Sequence, residues 1–189
     1  GCSFENMMSD DLLMTMQNQN AAQTSEYEYQ DVTQLQVAVG ESTLNPYEMT
    51  TDTRLQVVPL LYDSLTKLNL HYGYDLCIAS SLELQGTSCV VTLRQDVRFS
   101  DGTALTAADV QYSYRQAVGS ENAYAAQLSN VTDVSILSDY QIRFTLMEAD
   151  VLFPNLLTFP ILKNGSAADP VGSGRYRLAE ENLLEPNPH

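Results

Sequence analysis

From residue 34 onward, hydrophobic positions recur at periods that predict secondary structure. Leu35-Gln36-Val37-Ala38-Val39 alternates and is rich in β-branched residues, so it predicts a strand that stops at Gly40. Glu41 to Pro46 follows as a loop, because Asn45-Pro46 favours a turn. A helix capped by Asp52 or Thr53 and running to about Tyr62 places Leu55, Val58 and Leu61 or Tyr62 on one face. Ser64 to Asn69 is a short strand. Leu82 to Leu84 and Cys89 to Leu93 pair across Gln85-Gly86-Thr87-Ser88, and Asp101-Gly102 marks a turn. Thr106, with Asp109 three residues later, opens a helix that ends at Gly119 and buries Val110, Tyr114, Ala117 and Val118. Val134 and Ile136 face Ile142, Phe144 and Leu146 in a hairpin about Ser138-Asp139. Phe153 to Phe159 is a short apolar helix or turn bounded by Pro154 and Pro160. Gly172-Ser173-Gly174 turns into a strand, and Glu185 to His189 is loop-like. The irregular order of strands, hairpins and helices predicts a mixed α/β (α+β) class.

The first stretch has a different texture. Residues 3 to 33 are dominated by Asn, Gln, Ser, Glu and Asp without Gly or Pro, as a tether would be, and Asp11 to Met16 forms at most a transient helix. No Lys or Arg precedes Arg54. The net charge of -15, from 24 acidic and 9 basic residues, disfavours nucleic acid and anionic membranes, since phosphates would be repelled. No run approaches the roughly 18 apolar residues of a membrane helix, and no basic and apolar leader is visible. Gly1-Cys2-Ser3 fits a lipoprotein cleavage site with Cys2 carrying the lipid. The other reading of Gly1 is a remnant of tag removal. With Cys2 set aside, Cys77 and Cys89 are open to two readings: a disulfide in an oxidising compartment, or two small buried hydrophobes.

Nothing in the chain frames catalysis. A Ser/His/Asp site needs a positioned imidazole, and His71 sits in the loop-like Leu70-His71-Tyr72-Gly73-Tyr74, while His189 is terminal. Gly172-x-Gly174 lacks a third glycine and precedes a strand, so it is no dinucleotide fingerprint. No metal set and no cofactor motif is present, and the expectation is a protein that is not an enzyme.

One stretch is far more specific. Leu93, Arg94, Val97, Phe99, Asp101, Gly102, Leu105, Thr106, Ala107, Asp109 and Val110 stand in the order Leu-Arg, Val-x-Phe-x-Asp-Gly, Leu-Thr-Ala-x-Asp-Val. This pattern resembles the signature of the bacterial extracellular solute-binding proteins of family 5, the peptide and nickel receptors of ABC importers. Leu44-Asn45-Pro46, Leu61-Tyr62-Asp63-Ser64-Leu65, Pro170 to Tyr176, and Glu185 to His189 agree with the family in the same order. Two departures stand out: Arg175 replaces the usual Pro, and the chain has no Trp.

The resemblance implies the first lobe of a type II-like periplasmic-binding-protein fold with a mixed sheet and hairpins. It divides the chain into a tether over 1–33 and a lobe over 34–189, without the second lobe and the returning C-terminal segment. It implies an extracytoplasmic, lipid-anchored component that captures an oligopeptide or similar small solute by lobe closure and delivers it to ABC permease subunits. Membrane contact would come only through the anchor, with no nucleic acid partner. The alternative is a truncated lobe serving as a structural or interaction module. By the same resemblance Glu41, Ser42, Thr43, Leu44, Asn45, Tyr47 and Tyr62 would face the ligand cleft.

Overall fold

The structure, a computed structural model, describes residues 35–36, 44–49, 51–174, 176–180 and 183–189. The polar stretch 1–33, Cys2, Val37 to Gly40, Glu41, Ser42, Thr43 and Arg175 lie outside the described residues.

The described chain is mixed α/β, and its strand pairs are all antiparallel. A four-stranded sheet has the order β4 (Ala79–Gln85), β5 (Ser88–Leu93), β7 (Gln141–Leu146), β6 (Val131–Ser138). The expected β4–β5 hairpin forms with Gln85 opposite Ser88, and Gly86, at φ +58°, opens its two-residue loop as a primed turn requires. Alternation then sorts the sheet. Cys89, Val91 and Leu93 of β5 and Ile142, Phe144 and Leu146 of β7 are buried, whereas Val90, Thr92 and Thr145 between them are only half-buried. One face is thus packed and the other partly wet.

Helix α2 (Ala107–Val118) covers the packed face. It bonds to the β6–β7 turn through Ala107 N–H to the Asp139 carbonyl (2.7 Å) and to β6 through Gln111 Nε2 to the Val134 carbonyl (3.3 Å). Its end at Gly119 is as expected, though Gly119 keeps a right-handed φ of -83°. The core is knit by aromatic edges: Phe144 lies 5.8 Å from Phe153, 6.5 Å from Phe159 and 6.2 Å from Tyr114 of α2. Phe153 opens the short 3-10 turn Phe153–Leu156, so the expected apolar turn supplies two of the four rings.

Helix α1 (Thr51–Leu61) buries Val57, Leu60 and Leu61 and ends where Tyr62 N–H bonds to the Val58 carbonyl (2.9 Å). A three-stranded sheet joins the two ends of the described residues, with β9 (Leu183–Pro186) between β1 (Leu35–Gln36) and β8 (Tyr176–Glu180). The first part of the loop expected at the C-terminus is therefore strand. Pro186 fits there because it stands at the last position of β9.

One further difference and one open alternative have local explanations. The Ser64 to Asn69 segment yields β2 (Thr66–Leu68), but its partner β3 (Tyr74–Leu76) was not foreseen. Their loop closes around Asn69, whose Oδ1 accepts from the N–H groups of His71 and Gly73. The Cys77–Cys89 disulfide does not form: Cys89 is a free, buried thiol whose pKa burial pushes up to about 12. The register explains this. Ala79 faces Leu93, so Cys77 lies beyond that end of the ladder, while Cys89 sits four residues back along β5. At about 3.3 Å per residue the Cα separation exceeds roughly 13 Å, and a disulfide needs less than about 7 Å.

Candidate functional site

The described part of the segment expected to face a ligand, from Leu44 on, is a tight turn. Asn45 Oδ1 accepts from Tyr47 N–H (3.0 Å), and the Asn45 carbonyl accepts from Glu48 N–H (3.0 Å) and Met49 N–H (3.1 Å). The turn delivers the Tyr47 side chain inward, where its hydroxyl donates to the Pro160 carbonyl and its ring meets the edge of Tyr124 at 5.5 Å. Asn122 Nδ2 donates to the Tyr47 carbonyl (3.2 Å), and Tyr62 hydroxyl donates to the Leu44 carbonyl (2.8 Å). Leu44, Asn45, Tyr47 and Tyr62 are thus brought together.

The chemistry of this group is internal. Asn45, Tyr47 and Tyr62 are only 1%, 6% and 4% exposed. Burial pushes both phenols well above their ordinary value, with Tyr124 adding to the shift at Tyr47 and Asp169 adding to it at Tyr62. Both therefore stay neutral hydrogen-bond donors. Leu44 is half-buried and Glu48 is exposed, so Glu48 is what the described part of the turn offers to solvent. Sequence reasoning missed Asn122, Tyr124 and Arg54, the last lying 5.2 Å above the Tyr124 ring. The signal for Asn122 was its cap position: its Oδ1 accepts from Tyr124 N–H (3.0 Å) at the start of the short helix α3 (Ala123–Gln127).

The signature stretch folds as a second assembly. Asp101 Oδ1 accepts from Thr103 N–H (3.0 Å) and Thr103 hydroxyl (2.6 Å), while Oδ2 takes the Lys163 ammonium. Partial burial pushes the Asp101 carboxyl up, but the hydrogen bonds from Lys163 and Thr103 outweigh it and hold the pKa at about 2. Asp109 is buried and does two jobs. One oxygen caps α2 at Thr106 N–H (2.8 Å), and the other holds Asn164 N–H (2.8 Å). Ser113 Oγ accepts from Leu162 N–H (2.8 Å), so α2 is stitched to residues 162–164 along one side.

That segment leads to the glycine crossover, where Lys163 N–H bonds to the Val171 carbonyl (2.9 Å). Here the chain presses against the end of α1. A β-carbon on Gly172 would stand 2.1 Å from the Leu61 carbonyl oxygen, and one on Gly174 would stand 2.5 Å from the Leu60 carbonyl oxygen. The close approach is used: Gly174 N–H bonds to the Leu61 carbonyl (3.0 Å) and Ser100 N–H to the Gly172 carbonyl (2.9 Å). Between the glycines, the fully buried Ser173 hydroxyl donates to Asp63 Oδ2 (3.2 Å), and Lys67 Nζ reaches Asp63 Oδ1 (3.4 Å). Burial lowers the Lys67 pKa, and the Asp63 carboxylate works against that shift.

The two histidines lie outside the Tyr47 group, His189 with its ring against Gly102 of the signature turn. His71 is exposed in the β2–β3 loop, and His189 is exposed at the chain end. Among the described residues no group of three or more His, Cys, Asp or Glu side chains is placed to hold a metal, and no helix is long and apolar enough to cross a membrane.

Comparison with known proteins bears on the family and the fold. Residues 56–189 match the model described as bacterial extracellular solute-binding proteins, family 5 Middle. The chain is 29% identical over 165 residues to the oligopeptide-binding protein AppA of Bacillus subtilis, covering 76% of this chain and 30% of the relative. It is 26% identical over 166 residues to the glutathione-binding protein GsiB of Salmonella typhimurium, covering 79% and 32%. The solved structure of Bacillus subtilis AppA in complex with a nonapeptide superposes with a TM-score of 0.66 at 26% identity, covering 78% of this chain and 34% of that one. The chain spans about a third of the length of these relatives. With a family match over most of its length and the same fold, the chain belongs to the bacterial extracellular solute-binding proteins of family 5.

Proposed function

We propose that this chain is the first-lobe portion of an extracytoplasmic receptor that captures an oligopeptide or similar small solute and presents it to ABC permease subunits. The observation that carries this reading is the shared fold with a relative whose solved structure holds a nonapeptide. The mechanism is binding without chemistry. Extended peptides are held by backbone pairing and by waters in a cleft, and closure of one lobe on another commits the ligand. In this reading residues 41–44 and the exposed Glu48 border the cleft. The buried Asn45, Tyr47 and Tyr62 keep that border rigid rather than touching solute. The anchor is a lipid on Cys2, which rests on Gly1-Cys2-Ser3 and the polar stretch behind it.

A thermal-shift screen of the complete natural protein against a peptide library tests the ligand class. Stabilisation by a subset of peptides is expected. No response to any peptide, with a response to nickel chelates or sugars, overturns the peptide assignment. Intact-mass analysis of the protein recovered from its own membrane fraction checks the lipid at Cys2, and an unmodified cysteine there removes the anchor.

A further inference from the structure

Of the residue pairs in this chain, Asn164-Gly165 is the one Asn-Gly step. Both residues are exposed. They are the central residues of a turn closed by Ser166 N–H to the Lys163 carbonyl (3.0 Å), with Gly165 at φ +81° as the third position of a type II turn requires. The space a β-carbon would occupy on Gly165 is open to 4 Å, so no side chain shields its amide nitrogen on that side. The Asn164 side-chain amide has no hydrogen-bond partner among the described residues, while its backbone N–H is held by buried Asp109.

We propose that Asn164 is a self-modification site, where deamidation through a succinimide loosens the cap of α2. The Gly165 nitrogen attacks Asn164 Cγ. A C–N bond forms, the Cγ–Nδ2 bond breaks, and ammonia leaves with the proton lost from the Gly165 amide. Water then opens the five-membered ring at either carbonyl, giving aspartate or isoaspartate. Isoaspartate lengthens the main chain by one carbon between the Asn164 N–H and Gly165. Both products also place a carboxylate beside Asp109. Asp109 then loses alignment with Asn164 N–H while it still must cap Thr106, and the Lys163–Ser166 turn comes away from α2.

The molecule contains its own control. Asp101-Gly102 could close the same ring, but its carboxylate is a poorer electrophile and is pinned by Thr103 and Lys163. Conversion at Asn164 is therefore selective, and it accelerates as pH rises because the attacking amide nitrogen must shed its proton.

The test is ageing of the purified full chain at neutral and alkaline pH, followed by peptide mass analysis and Tm. Replacement of the Asn164 amide by a carboxylate is expected, with isoaspartate present, Asp101 unchanged, and a lower Tm in the aged sample. N164Q keeps the backbone N–H and is expected to lose both the mass change and the Tm drop. If Asn164 stays intact while a free peptide of the same sequence converts, the turn protects the site and the proposal fails. Conversion with an unchanged Tm overturns the link to the α2 cap.

Discussion

Residues 97–110 and residues 170–174 both carry the family pattern, yet they are held by opposite means. The first is held by side chains: Asp101 gathers Thr103 and Lys163, and Asp109 gathers Thr106 and Asn164. The second is held by the lack of side chains at Gly172 and Gly174, which lets main chain touch the end of α1. One region loses bonds when altered, and the other loses the room to exist. A motif can thus look uniform in sequence while its members answer to different physics.

The largest effect separates the two. Gly172→Ala drives a methyl into the Leu61 carbonyl, so it should cost ~3 kcal/mol or more, because overpacking against backbone has no flexible side chain to yield. The midpoint of denaturant unfolding reads this out. A Gly172→Ala protein milder than any aspartate variant would invert the comparison. Next, Asp109→Ala should lose about 2 kcal/mol, since it leaves two backbone donors without their acceptor. Asp109→Asn retains an acceptor and should recover part of that loss in the same titration. Ser173→Ala sharpens the crossover itself. It removes one donor to buried Asp63 without touching the glycines, and a Tm drop corresponding to about 1 kcal/mol is expected.

The smallest effect is the acid limb of Asp101. Its folded pKa of about 2 lies below the roughly 3.9 of an unfolded aspartate. Its contribution is therefore full above pH about 4 and is lost as pH falls toward 2. Solvent screening at this partly exposed carboxylate keeps it under about 1 kcal/mol. Asp101→Asn should flatten the stability curve in that window and nowhere else. A steeper loss in the variant than in the parent would show that Asp101 does not contribute through its charge.

The elements most legible in sequence were those with several agreeing local cues. The β4–β5 hairpin had alternation on both strands and a glycine at its turn, and α2 had a cap, an acidic first turn and an apolar stripe of which Val110 and Ala117 are buried, Tyr114 is half-buried and Val118, against expectation, is exposed. β3 lacked length: Tyr74-Asp75-Leu76 alternates over only three residues, and it becomes a strand because Asn69 closes the loop before it. The candidate site was legible as a neighbourhood and not as a surface. Leu44, Asn45, Tyr47 and Tyr62 do meet, but polar and aromatic residues after a turn read alike whether they point out or in. The contacts with Pro160, Asn122 and Tyr124 lie many residues away along the chain.

By itself, then, the sequence determined the family, the mixed α/β class, the sheet hairpins and the capped helix, because each rests on interactions between residues a few positions apart. Only the tertiary structure decided that Tyr47 and Tyr62 are buried donors and that Cys77 and Cys89 lie too far apart to bond. It also decided that Gly172 and Gly174 are required by contact with α1. The register of the β4–β5 hairpin sets the cysteine separation, whereas the burial of Tyr47 and the room at Gly172 and Gly174 are set by segments that meet across more than a hundred residues, as Tyr47 and Pro160 do at a sequence separation of 113.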